Sequence, residues 1–158
     1  MVCIEAERLS SLLKRKKLTL AVAESCTGGI IASKITDVPG SSEFFVGSAV
    51  TYSNESKIKI LIVKKETITQ HGAVSAETAE EMSAGAMNMF RSDLSVAVTG
   101  IAGPSGGSAD KPVGLVFISV RYGNKLRTIK NIFKGSRTEI RDAASDTAIR
   151  EIIRMVEE

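Results

Sequence analysis

Lys57 stands where a lysine is disfavoured. It falls in the first turn of the helix that begins after Tyr52-Ser53-Asn54, at the positive end of the helix dipole, which costs a cation ~0.3–1 kcal/mol. Two readings follow. The side chain is solvated and does little harm, or the positive surroundings favour the neutral amine, which then serves as a base. A base needs a nucleophile. Ser41 and Ser42 follow a Pro39-Gly40 turn, just ahead of the strand that leads to Tyr52 and Lys57. Ser-Lys chemistry needs no histidine. His71, the only histidine, sits beside Gly72 at a helix end with no triad motif around it. Cys26 is the rival nucleophile, because a helix N-terminus lowers a thiol pKa. The alternative for Cys26 is a small buried side chain. One histidine and no cysteine pair at ligand spacing make zinc an unexpected partner.

Three Gly- and Ser-rich loops can carry such chemistry: Ser25 to Gly29, Pro39 to Ser42, and Thr99 to Gly107. The first opens a helix. Its backbone N–H groups, with Gly28 and Gly29 leaving room, can accept a phosphate, or the glycines serve close packing. The third contains Gly100, Gly103, Gly106 and Gly107, which do not make the dinucleotide fingerprint, and no Walker-type loop exists. It reads either as a mobile binding loop or as a plain surface turn.

The elements that must position these loops are legible from periodicity. Ala6, Leu9, Leu12 and Leu13 predict an amphipathic helix over Ile4 to Lys16, closed by a solvated basic run at residues 14–17. Leu18 to Ala23 is short and apolar, the pattern of a strand buried on both faces. Ile30, Ile31 and Ile35 then repeat at helical spacing. Phe44 to Tyr52 reads as a second strand. A helix capped by Ser53 or Asn54 turns Ile58, Leu61 and Ile62 inward, and a short helical piece ends near His71-Gly72. Ser75 caps a longer helix with Ala79, Met82, Ala86 and Met89 as its buried stripe. Leu94 to Val98 is a third buried strand. Val113 to Arg121 and Leu126 to Phe133 flank a hairpin turn. Ser136 and Glu139 form a capping box for a last helix that buries Ile140, Ala144, Ala148, Ile152 and Val156. The pattern predicts a single α/β domain over residues 1–158, three-layer α/β/α with a mixed sheet. Ligands of open α/β sheets collect outside the carboxyl ends of strands, so the first and third loops are expected side by side.

Composition narrows the partners. Of 158 residues, 43% are hydrophobic and 25% charged, values that support one core. No Trp, 4% aromatics and a net charge of +3 argue against a nucleic-acid partner. The N-terminal stretch has no apolar signal core, and no apolar run reaches the ~20 residues of a membrane span. With two unpaired cysteines, a reduced cytoplasmic setting is expected.

The chain resembles the C-terminal domain family of the competence/damage-inducible protein CinA, the nicotinamide-nucleotide amidases. The likeness runs from about Ile4 to the end. It is carried by Glu24-Ser25-Cys26-Thr27-Gly28-Gly29, Pro39-Gly40-Ser41-Ser42, Val50-Thr51-Tyr52-Ser53-Asn54-Glu55, Val98-Thr99-Gly100-Ile101-Ala102-Gly103-Pro104 and Lys111-Pro112-Val113-Gly114. The resemblance implies hydrolysis of nicotinamide mononucleotide to nicotinate mononucleotide and ammonia. It implies a Ser, a Tyr and a Lys at Ser42, Tyr52 and Lys57. On this reading Lys57 deprotonates Ser42, Tyr52 passes a proton to ammonia, and N–H groups around Gly40 to Ser42 hold the oxyanion. Ser25, Thr27, Gly28, Gly29, Ser41, Thr99, Gly100 and Gly103 would bind the nucleotide, and either Arg137 or Arg141 its phosphate. No metal or organic cofactor is expected. The expected partners are a small-molecule nucleotide and further copies of the chain in a homo-oligomer. The competing reading is a non-catalytic nucleotide-binding or partner-docking module of the same fold.

Overall fold

The computed structural model describes residues 2–158. These form six α-helices, one 3-10 turn and one five-stranded sheet: α1 (Ile4–Lys16), β1 (Leu20–Glu24), α2 (Ile30–Thr36), the 3-10 turn (Ser41–Glu43), β2 (Phe45–Val50), α3 (Asn54–Leu61), α4 (Lys65–His71), α5 (Ala76–Phe90), β3 (Leu94–Gly100), β4 (Leu115–Tyr122), β5 (Lys125–Ile132) and α6 (Arg137–Glu157). The strand order is β2-β1-β3-β4-β5. β1 runs parallel to both β2 and β3, whereas β4 and β5 continue the sheet antiparallel. The mixed sheet and the late hairpin are as the sequence predicts.

β1 shows why the sheet needs helices on both faces. All five of its residues are buried. Leu20 and Val22 point into a large core shared with α1, α2 and α6, and Ala21 and Ala23 into a smaller one under α5. Alternation of large and small follows from the helix distances: on the α5 side the strand residues are short, so that α5 comes close. Gly85 of α5 lies against the backbone of Leu61 in α3, and a methyl group there would collide with the Leu61 carbonyl. That contact seats α3, and with it Lys57. Gly85→Ala is therefore expected to lower stability by about 1–3 kcal/mol, read as a lower urea midpoint at unchanged slope.

Two buried-face expectations do not hold. Ile62 is 75% exposed and Met89 45% exposed. α3 stops at Leu61, and Ile62 takes a left-handed cap conformation with φ 59°, which swings its side chain off the helix face. Met89, in the last turn of α5, lines an open groove between α3 and α5 instead of the core.

Candidate active site

β1 ends at Glu24, and the chain passes directly into the turn Ser25-Cys26-Thr27-Gly28-Gly29. The end of the strand is pinned on both sides. Ser25 N–H donates to Val98 O of β3 (3.0 Å), and Thr51 N–H, just past β2, donates to Glu24 O (2.9 Å). Gly28 and Gly29 both have positive φ, 57° and 104°, which lets the chain turn into α2 without a Cβ penalty.

Ser53 caps α3 through Ser56 N–H. One turn inside, Lys57 shares the buried side of the helix with Leu61, four residues on. Its side chain is only 1% exposed. Lys57 Nζ lies 2.8 Å from Ser25 Oγ, 2.8 Å from Thr51 O and 3.1 Å from Tyr52 O. The two carbonyls take two N–H groups in either protonation state. The remaining position of the nitrogen faces the Ser25 hydroxyl: a third N–H when charged, a lone pair when neutral. Burial pushes the amine down to about 8. The carbonyls pull the other way, since they favour the ammonium. The pair is a serine with a base aimed at it.

Ser25 and Lys57 open into a cleft of about 220 Å³ at the carboxyl edge of the parallel strands. Cys26 adjoins Ser25. Tyr52 and Asn54 come from the β2–α3 link, Ala73 and Val74 from the segment after α4, Thr99, Gly100 and Ala102 from the end of β3 and the loop beyond, and Arg137 from the start of α6. The first and third loops are thus neighbours, as the parallel pairing of β1 and β3 requires. Thr99 Oγ1 donates to Ala73 O (2.8 Å) and ties the third loop to the α4 side. Arg137 spans the mouth: Nη1 reaches Gly103 O (2.8 Å) and Nη2 the Tyr52 hydroxyl (3.1 Å). A larger groove of about 440 Å³ between α3 and α5, lined by Ile60, Ile62 and Met89, holds no comparable nucleophile and base.

Several expected site residues are elsewhere. Ser41 and Ser42 lie in the 3-10 turn before β2. Because β2 is parallel to β1, with Phe45 beside Leu20 and Val50 beside Glu24, that turn sits at the amino edge of the sheet. Five strand residues at about 3.3 Å each put it roughly 16 Å from Ser25. Ser42 is solvent-exposed and has no contact with Lys57 or Tyr52. The expected Ser42-Tyr52-Lys57 grouping and an oxyanion hole at Gly40 to Ser42 are not assembled. The Tyr52 hydroxyl meets Arg137, not the serine-lysine pair, and only the Tyr52 carbonyl touches Lys57.

The Gly28-Gly29 turn is not a vacant phosphate cradle either. The N–H groups of Gly29, Ile31 and Ala32 all donate to the Glu24 carboxylate. Thr27 is fully buried, and its hydroxyl has no partner among the described residues. Arg141 is spent on the carbonyls of Cys26 (2.9 Å) and Thr27 (3.1 Å), which leaves Arg137 as the arginine facing the cleft. Burial pushes the Cys26 thiol up to about 11, so it is inert at neutral pH. His71 sits by Glu77 at the end of α4, outside the cleft. Among the described residues no three His, Cys, Asp or Glu side chains converge as a metal site. No described helix is long and apolar enough to cross a membrane.

The profile of the CinA C-terminal domain matches residues 4–156. The chain belongs to the CinA C-terminal domain family. This CinA domain is 49% identical over 144 residues to a "CinA-like protein" of Fusobacterium nucleatum, covering 91% of this chain and 35% of that one. It is 53% identical over 135 residues to a "Putative competence-damage inducible protein" of Caldanaerobacter subterraneus, covering 85% and 33%. The CinA domain thus spans about a third of the length of these relatives. Among solved structures, the competence/damage inducible protein CihA from Agrobacterium tumefaciens superposes with a TM-score of 0.92 at 40% identity, covering 100% of this chain and 99% of that one. A CinA superfamily protein from Klebsiella pneumoniae gives 0.94 at 29% identity, covering 97% and 96%.

Sequence reasoning did not pair Ser25 with Lys57, and it passed over Asn54, Ala73 and Val74 as cleft residues. The signal for Ser25 was available. A serine that directly follows a buried strand and shortly precedes Gly-Gly at a helix start sits in a sharp turn at the carboxyl edge of the sheet.

Proposed function

We propose that this CinA domain is an amidohydrolase that converts nicotinamide mononucleotide to nicotinate mononucleotide and ammonia, with Ser25 as nucleophile and Lys57 as base. The observation that carries the reading is the 2.8 Å contact between Lys57 Nζ and Ser25 Oγ in a cleft gated by Arg137. The substrate follows from the family resemblance, and a cleft with one cation at its mouth suits a small ligand with one anionic group.

The steps use the residues in place. Neutral Lys57 accepts the Ser25 proton as Oγ attacks the carboxamide carbon. Cys26 N–H lies next to the nucleophile in the chain and supports the oxyanion. As the tetrahedral adduct collapses, the C–N bond breaks and the Lys57 ammonium returns its proton to the leaving ammonia. Water, deprotonated by Lys57, then cleaves the acyl-serine ester and restores Ser25. Tyr52 supplies its carbonyl to orient Lys57 and its hydroxyl to hold Arg137.

Ammonia release from nicotinamide mononucleotide, the riboside and free nicotinamide tests the reading. The mononucleotide is expected to be the best substrate by kcat/KM. Arg137→Ala should lose ~1.5–3 kcal/mol of that advantage, roughly 10- to 150-fold, with little change for the riboside. Equal kcat/KM for mononucleotide and riboside overturns the role of Arg137. Binding of the mononucleotide without ammonia makes the chain a binding module.

A further inference from the structure

A buried carboxylate and a half-buried guanidinium grip the turn that carries Ser25. Glu24 has no exposed surface. Its Oε2 accepts from Gly29 N–H (3.0 Å) and Ile31 N–H (3.2 Å), and its Oε1 from Ala32 N–H (3.0 Å) and the Ser48 hydroxyl (3.5 Å). A carboxylate this deep is costly unless donors meet its oxygens, and here backbone donors of one turn do so. Arg141 holds the carbonyls of the same turn, donating Nε to Cys26 O and Nη2 to Thr27 O. A peptide unit is planar, so fixing those two oxygens fixes the two peptide planes that follow Cys26 and Thr27. Gly28 N–H closes the turn onto Ser25 O (3.1 Å). A Cβ at Gly28 would come within 3.0 Å of Arg141 Nη2, so the glycine also makes room for the guanidinium.

Neither Glu24 nor Arg141 forms an ion pair among the described residues. A cap at the start of α2 needs only a serine or an asparagine. Spending a whole buried carboxylate and a guanidinium on eight residues of backbone is unusual for stability alone, because burying unpaired charge is the expensive way to hold a turn. It is suited to holding a reactive group to within a fraction of an ångström.

We propose that Glu24 and Arg141 are positioning residues that clamp the turn, one through its N–H groups and the other through its carbonyls, and hold Ser25 Oγ and Cys26 N–H in register with Lys57. The proposal rests on Ser25 being the nucleophile. Neither residue touches the reacting atoms, so each acts through the placement of Ser25.

The test uses Glu24→Gln, Arg141→Ala and Arg141→Lys beside the wild type and Ser25→Ala. The readouts are steady-state kinetics with nicotinamide mononucleotide, urea unfolding, and the rate at which a fluorophosphonate labels Ser25. In that labelling Ser25 Oγ forms the bond to phosphorus, fluoride leaves, and the serine proton passes to Lys57 and on to solvent. For folded Glu24→Gln and Arg141→Ala, labelling and kcat should fall together by ~100-fold with KM within roughly threefold, the scale of a 1 Å misplacement. The pH at which the rate levels off should not move, because the two carbonyls on Lys57 and the walls that bury it lie outside the turn. Arg141→Lys, or guanidinium ion added to Arg141→Ala, should restore part of both rates without a matching gain in stability. If Glu24→Gln does not fold, the Arg141 variants decide. Wild-type labelling in folded Arg141→Ala overturns the proposal. A raised KM at unchanged kcat also overturns it, since Arg141 would then bind substrate. If Ser25→Ala keeps wild-type turnover, the Ser25 reading itself has failed and the clamp falls with it, a failure visible without any clamp variant.

Discussion

Ser25→Ala is expected to release no measurable ammonia, whereas Ser42→Ala keeps wild-type kcat and KM. Removing a nucleophilic serine from a working site costs at least ~1000-fold in kcat. The exposed Ser42 sits at the opposite edge of the sheet from Lys57 and loses nothing the reaction uses. Ser25→Ala should fold, because the Ser25 backbone bond to Val98 remains and the hydroxyl is the only part removed. Mass spectrometry after a rapid quench offers a second check. An acyl group 25 residues along the chain supports the assignment, and one on residue 42 sinks it.

Lys57 is the second large effect. Burial holds its amine at about 8, so kcat/KM should rise with pH and level off above about 8. Lys57→Met keeps the stem and removes the basic nitrogen, and Lys57→Arg brings a group that does not deprotonate in proteins. Both should lose at least ~1000-fold. A mutant that keeps near wild-type kcat removes Lys57 from the chemistry. Stability carries an independent signature that a solvated lysine lacks. The native pKa lies below the unfolded one, so between about 8 and 10.5 the unfolded chain binds more protons. Wild type should therefore gain stability as pH rises through that window, by an amount on the order of 3 kcal/mol at most, and Lys57→Met should not. Below pH 8 the difference between the two is constant. Urea midpoints at pH 7, 8, 9 and 10 read this directly.

The layers of the fold were legible because they follow from local periodicity. The apolar run that leads into Glu24, the stripe of α1 and the capping box of α6 each announce their element locally. Parallel pairing of β1 with β3 also placed the first and third loops together. The serine that faces Lys57 was not legible from the Pro39-Gly40 turn. Ser42 and Lys57 are separated by one strand length, and a strand carries its two ends to opposite edges of the sheet. Ser25 is 32 residues from Lys57 and reaches it only because β1 and β2 are parallel neighbours with Glu24 beside Val50. The helix dipole argument picked out Lys57 for a valid reason but the wrong dominant cause: burial, not the dipole, lowers its pKa. Whether Arg137 or Arg141 faces the cleft could not be settled from spacing, since four residues apart on a helix puts both on one side. The turn carbonyls capture the deeper one.

The arginines that complete the site both come from α6, the last element of the fold. While the ribosome still holds residues 137–157, a nascent chain can already pair β1 with β2 and β3. It then has a serine and a lysine within reach of each other but no Arg141 on the turn and no Arg137 at the mouth. The apolar face of β3 and β4 that α6 covers is bare at that stage too. The cleft is therefore complete only once α6 docks on the sheet, and until then the chain shows apolar surface of the kind that chaperones bind.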